Sequence, residues 1–109
     1  MSMQPGLSSD PVLARFRAAI VDAYGLRLER AVLFGSRARR EARADSDYDV
    51  AVFLRDLRDR PVELNRLADI ATDILYDTGG CVHAMPYRAG SYEDRTPLMR
   101  EIREDGVDL

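Results

Sequence analysis

The 109-residue chain contains no lysine and no tryptophan, one cysteine and one histidine. A lone cysteine, Cys81, can close no internal disulfide and belongs to no zinc-ligand spacing. No apolar run approaches the roughly 18 residues of a membrane span. The opening "MSMQPGLSSDP" lacks the basic-then-apolar order of a secretory signal. These absences lead us to expect a cytoplasmic protein. There is also no internal repeat and no low-complexity tract. Net charge is -3, so the surface as a whole does not favour nucleic acid, and direct nucleic-acid binding is not expected.

What remains is a length suited to one domain with one core. A hydrophobic content of 46% and a charged content of 32% fit a soluble globular chain. We expect a flexible tail over residues 1–8 and a single domain over 9–109. Asp10-Pro11 can cap and open a helix, with Leu13, Phe16, Ile20 and Ala23 at helical spacing and Gly25 as its stop. "RAVLF" at 30–34 reads as a buried strand, and "YDVAVFL" at 48–54 as a second. A short helix is expected from Ser36. A longer one is expected over 61–77, with an apolar stripe of Leu64, Leu67, Ala68, Ala71, Ile74 and Leu75, ended by Gly79-Gly80. A third strand over 81–87 and a last helix over 92–105, with Ser91 as its cap, complete the order α-β-α-β-α-β-α. The link from Ser36 to Tyr48 is too short for a parallel crossover, so part of the sheet should be antiparallel.

All 16 basic residues are arginine, which reads first as codon bias, yet Arg37, Arg39, Arg40 and Arg43 are crowded together. Such a run is either a solvated face or a contact surface for a triphosphate or a partner. It lies inside "LFGSRARREARADSDYDV", where Gly35-Ser36 follows one strand and Asp47 and Asp49 open the next. Residues i and i+2 of a strand share a face, about 6.8 Å apart. Two carboxylates aimed at one spot repel, and a divalent cation relieves that repulsion. Magnesium suits the pair, because it takes one or two carboxylates and fills its shell with water and phosphate oxygens. Gly35 lets a phosphate approach the backbone, and the Ser36 hydroxyl and a helix start can donate to it. Each part alone is weak; in this order they describe a site for a metal-bound nucleoside triphosphate.

Gly35-Ser36, ten intervening residues and Asp47-x-Asp49 resemble the signature of the DNA polymerase β-like nucleotidyltransferases, and the small size resembles their minimal branch, the MNT proteins. The resemblance covers about residues 10–105. It implies an α+β fold, a polymerase β-like palm with a mixed β-sheet flanked by helices. It implies Mg2+ held by Asp47 and Asp49, a nucleotide held by Gly35, Ser36 and Arg37, and transfer of a nucleoside monophosphate from a triphosphate such as ATP. Many minimal members are antitoxins paired with HEPN-domain ribonuclease toxins, and some attach AMP to a tyrosine of the toxin. Two departures stand out. Arg40 replaces the glycine common after "SRAR". His83, in "CVHAMPY", stands where active members carry a third carboxylate, and no Asp or Glu lies between Asp77 and Glu93. His83 is thus a substitute for that carboxylate, either a neutral strand histidine or a base. The resemblance leaves open an adenylylating antitoxin, a catalytically weak antitoxin that neutralises by binding, and, with less room for it, transfer to a small molecule.

Overall fold

The structure, a computed structural model, describes residues 10–41, 43 and 46–109; the expected tail lies outside the described residues. Helix α1, Pro11–Tyr24, starts where the sequence places it. The Asp10 carboxylate accepts from the backbone N–H groups of Val12 and Leu13 at 2.8 and 3.2 Å. Val12, Leu13, Phe16, Ile20 and Tyr24 form its buried face, the spacing of an amphipathic helix. A 3₁₀ turn, Gly25–Arg27, leads into strand β1, Leu28–Phe34. A four-residue helix α2, Gly35–Ala38, follows, and then strand β2, Tyr48–Leu54. Helix α3, Arg60–Thr78, is capped by Asp59 and closed by Gly79. Strand β3, Val82–Arg88, helix α4, Pro97–Asp105, and a two-residue strand β4, Val107–Asp108, complete the described chain.

The four strands form one mixed sheet in the order β3-β2-β1-β4. β1 is antiparallel to β2 and β4, and β2 is parallel to β3. The short 36–48 link therefore joins antiparallel neighbours, while α3 supplies the long crossover a parallel pair requires. Every residue from Val50 to Leu54 is 0% exposed, because β2 is covered on both faces. α1 and α3 cover one face through Phe16, Ile20, Leu67 and Ile74. On the other face α4 packs Met99 and Ile102 onto Val32, Ala51 and Phe53.

Two expectations need correction, and one strand was not expected. The last helix does not begin at 92 under Ser91. Ser91–Glu93 is a separate 3₁₀ turn, and Thr96 caps the helix by accepting from the Met99 N–H at 3.1 Å. Pro97 occupies the first turn, where its missing N–H is harmless and its ring ends whatever precedes it. The buried stripe of α3 is also rotated: Glu63, Leu67 and Ile74 are buried, whereas Leu75 is 46% exposed. Glu63 is drawn inward by Arg27, whose Nη2 lies 2.6 Å from it. Leu64, Ala68, Ala71 and Leu75 instead line a groove of about 330 Å³ beside β3. Finally, β4 was missed, being only two residues long.

β3 is an edge strand. The Tyr48 N–H donates to the Cys81 carbonyl at 2.9 Å, so the alternate positions 82, 84 and 86 face away from β2. Pro86 thus puts its missing donor on the free side, where it interrupts pairing by another strand.

Candidate active site

The register of the sheet assembles the site. Phe34 on β1 pairs with Asp49 on β2, and Asp49 pairs with His83 on β3. Paired residues share a face, so the three side chains form one row across the sheet, on the face that α4 covers elsewhere. Directly after Phe34 the chain turns at Gly35, whose φ is +75°. A Cβ built there would stand 2.6 Å from Asp49 Oδ2. The carboxylate therefore rests on the glycine Cα, and the two halves of the sequence motif are in contact. Asp49 is about one-third exposed, and Asp47, one residue before β2, is exposed.

His83 Nδ1 lies 3.6 Å from Asp49 Oδ1, and the histidine side chain is 66% exposed. The residue read as standing in for a third carboxylate thus faces the motif. Cys81, directly before β3, is exposed. Partial burial first, and then the Asp47 carboxylate accepting from the thiol, raise its pKa. Among the described residues no group of three or more His, Cys, Asp and Glu side chains is arranged to hold a metal. Two carboxylates with solvent access fit magnesium as an open site completed by water and phosphate; they do not form a closed cage.

The arginine run divides into separate tasks. Arg37 turns back along the loop: its Nε and Nη2 donate to the Ser46 carbonyl at 3.0 and 2.9 Å, and Nη2 also reaches the Arg43 carbonyl at 3.4 Å. The same guanidinium lies over the Tyr48 ring, 3.9 Å from its centroid. Tyr48 is buried, and its hydroxyl donates to Asp10 Oδ2 at 2.8 Å. Burial, with Asp10 next, pushes that hydroxyl up to about 12. Arg39 points the other way, to Glu41 at 3.3 Å and, on α4, Glu101 at 3.8 Å and Asp105 at 3.7 Å. Arg40 adopts φ +60°, a left-handed conformation that costs a non-glycine residue about 1 kcal/mol; this gives a local reason for glycine to suit that position. Asp10, read only as a helix cap, is also the partner of Tyr48. No local signal could reveal this, since the two residues are 38 apart in sequence.

The family model described as "Polymerase beta, Nucleotidyltransferase" matches residues 21–106. The chain matches no curated protein. Among solved structures it is similar to a toxin–antitoxin crystallised with AMP-PNP, at 19% identity and a TM-score of 0.65, covering 87% of this chain and 69% of that one. A protein from Sulfolobus solfataricus described as a nucleotidyltransferase gives 18% identity and a TM-score of 0.62, with 89% and 75% coverage. A mutant of the toxin–antitoxin MntA-HpeT gives 17% identity and a TM-score of 0.62, with 87% and 69% coverage. At these identities the likeness is one of fold.

Proposed function

The chain belongs to the polymerase beta nucleotidyltransferase family, and from that premise we propose that it is a minimal nucleotidyltransferase acting as an antitoxin, which transfers AMP from Mg-ATP to a HEPN-type ribonuclease toxin in the cytoplasm. The observation that supports this reading is the contact between Gly35 and Asp49, which joins the glycine-serine turn to one carboxylate of the Asp-x-Asp motif. The fold shared with a toxin–antitoxin crystallised with an ATP analogue supports both the nucleotide and the partner.

The space beside Gly35 is taken by the Asp49 carboxylate, so a phosphate would be held by the Ser36 hydroxyl and by the Mg2+ on that carboxylate. Asp47 and Asp49 would hold Mg2+, which neutralises triphosphate charge and favours deprotonation of the attacking hydroxyl. In the transfer, an acceptor hydroxyl oxygen bonds to the α-phosphorus. The bridging oxygen leaves with pyrophosphate, and the hydroxyl proton passes to a base. The His83 imidazole brings no negative charge to the place of a third carboxylate, and magnesium prefers oxygen donors. That observation favours a second reading, in which transfer is slow and the protein neutralises its toxin by binding. Arg39 pairs with Glu101 and Asp105 on α4, which supports a partner surface that joins the arginine run to the last helix.

Incubating the protein and its partner with labelled ATP and magnesium tests the proposal. Label on the partner, lost in an Asp47→Asn, Asp49→Asn double variant, is the expected result. Toxin inhibition without label selects the binding reading. Equal magnesium-dependent ATP affinity in wild type and double variant refutes the site.

A further inference from the structure

We propose that Arg37 is a positioning residue for Asp47, not a ligand of the nucleotide. Asp49 needs little help, because it lies within β2 and pairs on both sides, with Phe34 and His83. Asp47 precedes the strand and lies outside the ladder. Its backbone is held by its two neighbours. On one side the Ser46 carbonyl accepts two N–H groups of Arg37, at 3.0 and 2.9 Å. On the other side Tyr48 is clamped between the Arg37 guanidinium above its ring and Asp10 at its hydroxyl. One planar cation thus fixes the residue before Asp47 and the residue after it.

The geometry uses what distinguishes arginine from lysine. A flat guanidinium can chelate one carbonyl with two N–H groups while stacking on an aromatic ring, and a lysine ammonium can do neither together. The loop is also tied to itself, with the Arg43 N–H donating to Ser46 Oγ at 2.9 Å and the Ser46 N–H to the Arg43 carbonyl at 3.0 Å. Arg37 joins Arg43 and Ser46 to α2, so Ser46 cannot shift without breaking the bidentate contact. A residue that orients a metal ligand this way typically affects metal affinity by about 10–100-fold.

This inference rests on the proposed site, and its test separates the two. Mn2+ binding by the full chain is measured by electron paramagnetic resonance, and ATP binding in EDTA by calorimetry, for wild type, Arg37→Ala, Arg37→Lys and Asp49→Asn. Amide exchange at Ser46 is followed without ligand. Both Arg37 variants should weaken Mn2+ by roughly tenfold or more, leave metal-free ATP affinity within about twofold, and exchange the Ser46 amide roughly tenfold faster. A purely structural fault would lower stability without separating the two affinities. Loss of metal-free ATP affinity in Arg37→Ala, restored by Arg37→Lys, would make Arg37 a phosphate ligand and overturn the inference. So would unchanged Mn2+ affinity and unchanged Ser46 exchange. Mn2+ binding that is missing in wild type, or equal in Asp49→Asn, overturns the site itself; Ser46 exchange then decides the clamp alone.

Discussion

Replacing Gly35 by alanine adds one methyl group and tests the contact on which the site depends. Two costs must be kept apart. At φ +75° an alanine is in a left-handed conformation, at a cost of about 1–2 kcal/mol. Restricting the unfolded chain returns about 0.4–1 kcal/mol, leaving a net loss of roughly 1 kcal/mol, or about 3–6 °C in melting temperature for a chain of this size. The second cost is steric: the new Cβ would stand 2.6 Å from Asp49 Oδ2. That oxygen is the end of a side chain on a partly open face, so the carboxylate can rotate away at little expense in stability. The proposed site, however, loses the position of one of its two proposed metal ligands. We therefore expect a modest loss of stability with at least a tenfold loss of magnesium-dependent ATP affinity. The assay is a double-mutant cycle with Asp49→Ala, read by urea unfolding and by calorimetry with Mg-ATP. Stability costs should add to within about 0.5 kcal/mol, while the affinity loss from Gly35→Ala should vanish once Asp49 is gone. Mg-ATP affinity unchanged within twofold in Gly35→Ala would refute the argument, as would strong non-additivity in stability.

Glu63→Ala should destabilise by about 2 kcal/mol in urea unfolding. Removing one partner of a buried pair costs about 3–5 kcal/mol, but Arg27 keeps 35% of its side chain exposed while Glu63 keeps 7%; a loss under about 0.5 kcal/mol would contradict this. Tyr24 and Tyr48 both have pKa values raised from 10 to about 12, chiefly by burial. A raised folded-state value gives stability that is complete below pH 10 and is lost as pH climbs through 12. Two units are about 2.7 kcal/mol at most, and we expect about 1 kcal/mol from Tyr48 because its hydroxyl is only partly buried. Tyr48→Phe should flatten the fall in stability between pH 10 and 12, and parallel wild-type and variant curves would exclude it. His83→Asp should raise AMP transfer to the partner roughly tenfold or more, while His83→Ala should change it little; complete loss of transfer in His83→Ala would make the histidine the base.

The outline of the fold was legible because its signals are local. Asp10, Asp59 and the prolines after them mark helix starts within one turn. The β-rich run 48–54 coincides with β2. The antiparallel pairing of β1 and β2 was legible from the length of their link, which has no room for a crossover with a long helix; the fold class itself came from the family resemblance. The motif halves were visible as residue types and spacing. Where local signals competed, the reading failed: Ser91 and Thr96 could both cap a helix, and Pro97 decided between them.

Other features depended on which elements meet. α3 carries more apolar residues than its buried face uses, and the Arg27 contact at Glu63 belongs to the rotation that leaves Leu75 at the surface. The arginine run gave charge without direction. Folding turns Arg37 toward Ser46 and Tyr48, and Arg39 toward α4. Sheet register alone sets His83 beside Asp49, and packing alone brings Asp10 to Tyr48 across 38 residues. Caps, turns and periodicity act within a few bonds of the residues that encode them. The partner of a charged side chain is chosen by the register and packing of elements far apart in sequence.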